Sequence, residues 1–210
     1  MFALDRQRGV LFHGDRAFIP ATRRWEVLPP SPQAVPVDAV KAMHWVQTES
    51  GFPLRAPVGV IGPNEASVAQ AAVAETVGEL LGRMRLTLLC GGRQGVMEGA
   101  CRGAANAGGL TIGLLPRDDP DQANPFVTVS IASGIGEARN AIIAQASACL
   151  IAVGDSHGTL SEVALGLRLG KTVFGLAGAA AIEGVIQLSD PADLAGPLIG
   201  HLLHLTPRQV

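Results

Sequence analysis

The sequence predicts an α/β fold: an open, doubly wound, mostly parallel sheet with an N-terminal β-hairpin and helix as an appendage. Three observations predict it. From residue 57 onward, short and nearly continuous apolar runs such as "VGVIG", "LTLLC" and "CLIAV" alternate with helix-length segments, as buried parallel strands joined by crossover helices do. Several of those runs end in glycine-rich turns that lead straight into a helix. The first 55 residues lack the alternation and read as short β-like pieces, a proline-rich linker and one helix.

Taken in order, "GVLFHG" and "AFIPATRRWEV" are expected to pair as a hairpin, and "LPPSPQAVP" is a linker. A helix is expected over residues 37–49, with Ala42, Trp45 and Val46 on one side and Gly51 as its stop. Trp25 and Trp45 are expected to dock on the main domain rather than stack on a base. Residues 1–56 thus form the appendage and residues 57–210 a ligand-binding domain. Its strands are read at "VGVIG", "LTLLCGG", "LTIGLLP", "FVTVSIAS", "ACLIAVG" and "KTVFGLAG", with a further strand at "IEGVIQLS". Helices are read at "EASVAQAAVAETVGELLGRM", "GVMEGACRGAANAGG", "GEARNAIIAQAS" and "GTLSEVALGLRLG", and a last one starts at Asp190 and Pro191. Sheets of this kind bind ligands outside the carboxyl ends of their strands.

Composition narrows the ligand. A chain of 210 residues that is 48% hydrophobic can bury a sizeable core, and its formal net charge of −2 supplies no basic field for nucleic acid or an anionic membrane. The N-terminus does not resemble a secretory signal and no stretch reaches the ~18 apolar residues of a membrane-spanning helix, so a cytoplasmic protein is expected. Cys90, Cys101 and Cys149 lack CxxC spacing and sit mostly beside apolar runs, as reduced buried thiols do; with the histidines scattered, no metal site is expected.

Three loops are candidates for chemistry. In "CGGRQGVMEGA", Gly91, Gly92 and Gly95 permit a tight turn and close approach of a ligand, with Arg93 and Met97 in the same loop; glycines that merely let the helix pack on the sheet are an equal alternative. In "ASGIGEARNAII", Gly134 and Gly136 frame a turn, and Glu137, Arg139 and Asn140 open a helix whose Ala141, Ile142 and Ala144 are expected to be buried. A cation at a helix N-terminus opposes the macrodipole, which points Arg139 to ligand contact; because the cost is only a few tenths of a kcal/mol up to about 1, a solvated or salt-bridged arginine is a fair alternative. In "GDSHGTLSE", Gly158 and Thr159 would begin a helix with free N–H groups suited to a phosphate, and Glu162 lies one turn below on the same face, where taken singly it reads as an acid complementing the helix dipole and beside a ligand as a group for a ribose hydroxyl or water. The spacing G-x-G-x-x-G is absent, which argues against a dinucleotide fingerprint.

Together "CGGRQGVMEGACRGAANAGGLTIGLLP", "GIGEARNAII" and "GDSHGTLSEVALGLRLGKTVFGL" resemble the Rossmann-like superfamily known for possible lysine decarboxylases. That group includes lonely-guy-type cytokinin-activating phosphoribohydrolases and molybdenum-cofactor carrier proteins, and the likeness runs over residues 57–193. The wording of the motifs is nearer to the carrier branch, which implies binding of a phosphorylated pterin or nucleotide-like molecule without turnover and with no other cofactor required. The enzyme branch implies N-glycosidic hydrolysis of a nucleoside 5′-monophosphate, with Gly158 and Thr159 at the phosphate and Arg139 and Glu162 as the catalytic pair. A catalytically silent nucleotide sensor is a third expectation. The resemblance also implies a homodimer or homotetramer. One departure stands out: Asp155, Ser156 and His157 replace glycines that the family carries before Gly158. They are candidate ligand contacts here, and Asp155 sets negative charge beside the expected phosphate.

Overall fold

A computed structural model describes residues 1–29 and 31–205, so residues 206–210 of the expected second domain and Pro30 of the linker lie outside the described residues. The chain divides into two compact units.

The first unit holds residues 1–54 together with the segment that begins at Leu194, where the sequence reading assigned that segment to the second domain. Its core is a five-stranded antiparallel sheet rather than a hairpin: β1 (Phe2–Asp5), β2 (Val10–His13), β3 (Arg16–Ile19), β4 (Arg24–Val27) and β5 (Val35–Val37), in the order β4-β3-β2-β1-β5. The hairpin strands are β2 to β4. The additions are β1, only four residues long, and β5, which falls inside the expected linker and tolerates Pro36 because it is an edge strand. Helix α1 (Ala39–Thr48) is capped by Asp38, whose carboxylate accepts the Lys41 N–H at 2.7 Å, and it buries Ala42, Met43, Trp45 and Val46. Trp25 lies 5.4 Å from Phe18, centroid to centroid, and its indole N–H donates to the Leu203 carbonyl within the same unit. Neither tryptophan lies in the sheet unit that was expected to hold the ligand.

The second unit, residues 55–193, is the doubly wound α/β fold. Seven strands, β6 (Val58–Ile61), β7 (Leu88–Cys90), β8 (Thr111–Leu115), β9 (Val129–Ala132), β10 (Leu150–Val153), β11 (Val173–Leu176) and β12 (Val185–Gln187), form a sheet in the order β12-β11-β10-β6-β7-β8-β9. Every pairing in it is parallel. β6, β10 and β11 are buried throughout, which explains their unbroken apolar sequence.

Helices α2 (Val68–Arg83), α3 (Val96–Asn106), α4 (Arg139–Ala146) and α5 (His157–Arg168) connect the strands. Ser67 and Gln70 close a capping box at the start of α2. α2 and α3 lie backbone to backbone: a Cβ at Gly78 would overlap the Ala100 carbonyl, and one at Gly103 would overlap that of Glu75. Strand order reverses between β6 and β10, so right-handed crossovers send α2 and α5 to opposite faces and leave a crevice between the two strand ends. The expected last helix starts as a 3-10 turn at Pro191–Leu194 and continues as α6 (Ala195–Leu202), which belongs to the first unit. Among the described residues no helix is long and apolar enough to cross a membrane.

Candidate functional site

A cleft of about 110 Å³ opens at that reversal point. It gathers the carboxyl ends of β6, β7 and β10 and the N-terminus of α4, and of the expected residues Gly91, Arg93, Met97, Arg139, Asn140, Ser156, Gly158, Thr159 and Glu162 line it. Gly92, Gly95, Gly134, Gly136, Asp155 and His157 do not line it. Val60, Ile61, Gly62, Asn64 and Glu137 do, although the sequence reading assigned them no role. The signal for four of them was topological, since β6 is the strand at which the winding reverses and its end must face the crevice.

The glycine loop after β7 splits between the two readings open to it. A Cβ on Gly91 would lie 2.8 Å from Arg139 Nη2 and 2.9 Å from Met97 Sδ, so the bare backbone lets these two side-chain ends sit close against the loop. Gly92 and Gly95 serve packing. Gly92 has φ of +70° with the Gly113 backbone 2.9 Å from where a Cβ would stand, and Gly95 has φ of +64° against the carbonyls of Pro63 and Asn64. Two N–H groups here are engaged locally: Gln94 N–H donates to Asn64 Oδ1 at 3.2 Å and Val96 N–H to the Pro63 carbonyl at 3.1 Å.

At α4 the buried face differs from expectation. Arg139, Asn140, Ile143 and Ala144 are buried, whereas Ala141 and Ile142 are exposed, because Arg139 and Ile143 stand one turn apart on the side that faces the cleft and sheet. Arg139 is only 4% exposed. Its Nη1 donates to Asn140 Oδ1 and lies 3.6 Å from Glu162 Oε1, while Nη2 lies 3.6 Å from Glu137 Oε2. Its Nε is buried with no hydrogen-bond partner among the described residues. A guanidinium carries five donors, and this one has fewer partners than donors. Burial is the larger influence on Glu162, pushing its carboxyl up to about 7; Arg139 pulls it down and Glu137 pushes it further up.

The loop after β10 also departs from its reading. The helix begins at His157 rather than Gly158, and Ser156 is its N-cap: Ser156 Oγ accepts the Thr159 N–H at 3.1 Å and lies 2.9 Å from Thr159 Oγ1. The Thr159 N–H is therefore not free. The helix itself supplies no partner for the N–H groups of His157 and Gly158, so the anion-attracting end of α5 is retained but narrower. Asp155 is turned onto its own loop, where its carboxylate accepts the Ser156 N–H at 2.8 Å, and it does not line the cleft. A Cβ on Gly158 would meet only Ser156 Oγ at 3.7 Å, so this position is open on the cleft side. Asn140 Nδ2 donates to Ser161 Oγ at 3.4 Å, and Ser161 Oγ donates to the Gly158 carbonyl at 2.7 Å, tying α4 to α5 at the site.

Residues 55–194 match the model of the SLOG cluster4 family. An uncharacterized protein of Archaeoglobus fulgidus is 40% identical over 136 residues, which span 65% of this chain and 89% of that protein. The molybdenum cofactor binding protein from the phototrophic bacterium Rippkaea orientalis has a similar structure, with a TM-score of 0.67 and 35% identity over 71% of this chain and 99% of that one. The molybdenum cofactor carrier protein from Chlamydomonas reinhardtii is similar with a TM-score of 0.65 and 34% identity, covering 70% of this chain and 99% of its own.

Proposed function

The chain belongs to the SLOG cluster4 family, and from that premise we propose that its cleft binds a phosphorylated pterin-like or nucleotide-like small molecule and carries it without turnover. One observation carries the reading: the N-terminus of α5 and the buried guanidinium of Arg139, with donors to spare, converge on one cleft at the point where the sheet winding reverses. The kinship with a molybdenum cofactor binding protein and a carrier protein supports it. The residues present fit such a molecule. First-turn N–H groups of α5 suit the phosphate, while Asn64, Arg139, Asn140 and Glu162 offer donors and acceptors for a heterocycle edge. The metal of a molybdenum cofactor would travel as cargo and needs no protein ligand here. We place the carrier in the cytoplasm as a homodimer or homotetramer.

A specific feature favours a second reading, hydrolysis of a nucleoside 5′-monophosphate. Glu162, with its carboxyl pushed up to about 7 and 3.6 Å from Arg139, is suited to exchanging a proton near neutral pH. In that reaction the C1′–N bond breaks, the water oxygen bonds to C1′, its proton passes to Glu162, and the base leaves with the bonding electrons and takes up a proton.

Incubation with AMP and other nucleoside monophosphates separates the readings. A carrier is expected to release no base, while its melting temperature rises with molybdenum cofactor or a related pterin. Release of free base and ribose 5-phosphate would overturn the carrier in favour of the hydrolase. Stabilisation by nucleotides alone, without turnover, would favour the silent nucleotide sensor.

A further inference from the structure

Beneath the cleft, two buried thiols stand side by side: Cys90, the last residue of β7, and Cys101, on α3, have their sulfurs 3.5 Å apart. We infer that Cys90 and Cys101 are a redox-active dithiol that a small neutral peroxide closes into a disulfide. Neither thiol is within reach of the cleft's proposed ligand, so the inference stands apart from the proposed function. A disulfide needs its sulfurs about 2.05 Å apart, so closing the bond requires the strand end and the helix to let the two sulfurs approach further.

The environment assigns the two sulfurs different parts. Hydrogen bonds from Cys90 and from Asn124 hold the Cys101 thiol below its ordinary range, whereas the contact with Cys101 and burial push the Cys90 thiol well above it. Cys101 is thus the sulfur that meets the oxidant first. Its thiolate attacks one oxygen of hydrogen peroxide, giving the sulfenic acid and hydroxide, which takes up the Cys101 proton as water. The Cys90 sulfur then attacks the sulfenic sulfur, the S–S bond forms, and the displaced hydroxide leaves with the Cys90 proton as a second water. Two thiols lose two electrons in all, and one peroxide is reduced to two waters. Both thiols are fully buried, so a small uncharged oxidant reaches them through local opening, while a bulky disulfide such as oxidised glutathione does not. The bond would act directly on the site: Cys90 accepts the Gly92 N–H at 3.3 Å and precedes Gly91, whose backbone seats Arg139.

The third cysteine is an internal control. Cys149 is buried elsewhere, and burial pushes its thiol up to about 12. Reduced wild-type protein, freed of reductant, is treated with hydrogen peroxide, quenched, denatured and titrated for thiols. The expected result is a fall from three titratable thiols to one, restored by dithiothreitol, with peptide mapping that joins the segment of Cys90 to that of Cys101. Retention of all three thiols, a crosslink that includes Cys149, a crosslink between two chains, or added oxygen without a crosslink would overturn the inference.

Discussion

Glu162→Gln is expected to raise the melting temperature of the parallel-sheet unit at pH 8 by roughly 6 °C or more, and to change it little at pH 4.5. The sign follows from proton binding. The folded protein holds the Glu162 proton up to a pH of about 7, whereas the unfolded chain releases it near 4.5, so stability falls as pH rises through that window. Above it, the folded state carries the full cost of a buried carboxylate, on the order of 3 kcal/mol. Glutamine keeps the shape and cannot ionise. Melting curves of the two proteins at pH 4.5, 6 and 8 check this, and parallel pH dependence in both would contradict it. The same variant bears on function: as a hydrolase the protein loses turnover.

Gly78→Ala is expected to destabilise the protein by about 3 kcal/mol or more. Alanine is the better helix former by about 1 kcal/mol, and at an exposed helix position the change would stabilise. Here the added methyl meets the Ala100 carbonyl of α3, a backbone atom that moves only if the two helices separate. Overpacking against backbone therefore outweighs propensity. Denaturant unfolding of this variant beside Gly196→Ala, where a Cβ has nothing within 4 Å, measures the difference. Equal stability of the two variants would contradict the close approach of α2 and α3.

Much of the second unit was legible because its strands are short apolar runs bounded by glycine and its helices follow at once. β1 and β5 were not: β1 lies in a charged N-terminal stretch without the flanking glycine that marks the other strands, and Pro36 argues against a strand unless the strand lies at an edge. Hydrophobicity misplaced the buried face of α4: it turned Ala141 and Ile142 inward, whereas the cleft requires Arg139 and Asn140 there. Ser156 was read as a departure from a glycine loop. Its place three residues before Thr159 is an N-cap signature, and the Asp155 carboxylate accepts the Ser156 N–H of its own loop. Asn64 escaped notice and Glu137 was placed at the start of the helix without a site role; the winding of the sheet and the fold of the α4 turn bring both to the cleft.

The central claim is that the cleft recognises a phosphate at the start of α5 and a heterocycle beside Arg139. Calorimetric titration with a pterin phosphate and with AMP, each beside its dephosphorylated counterpart, tests it most directly. The phosphorylated member of at least one pair is expected to bind ten times more tightly or better, which corresponds to about 1.4 kcal/mol or more from the phosphate. Equal affinity within both pairs, or binding of neither, would contradict the account.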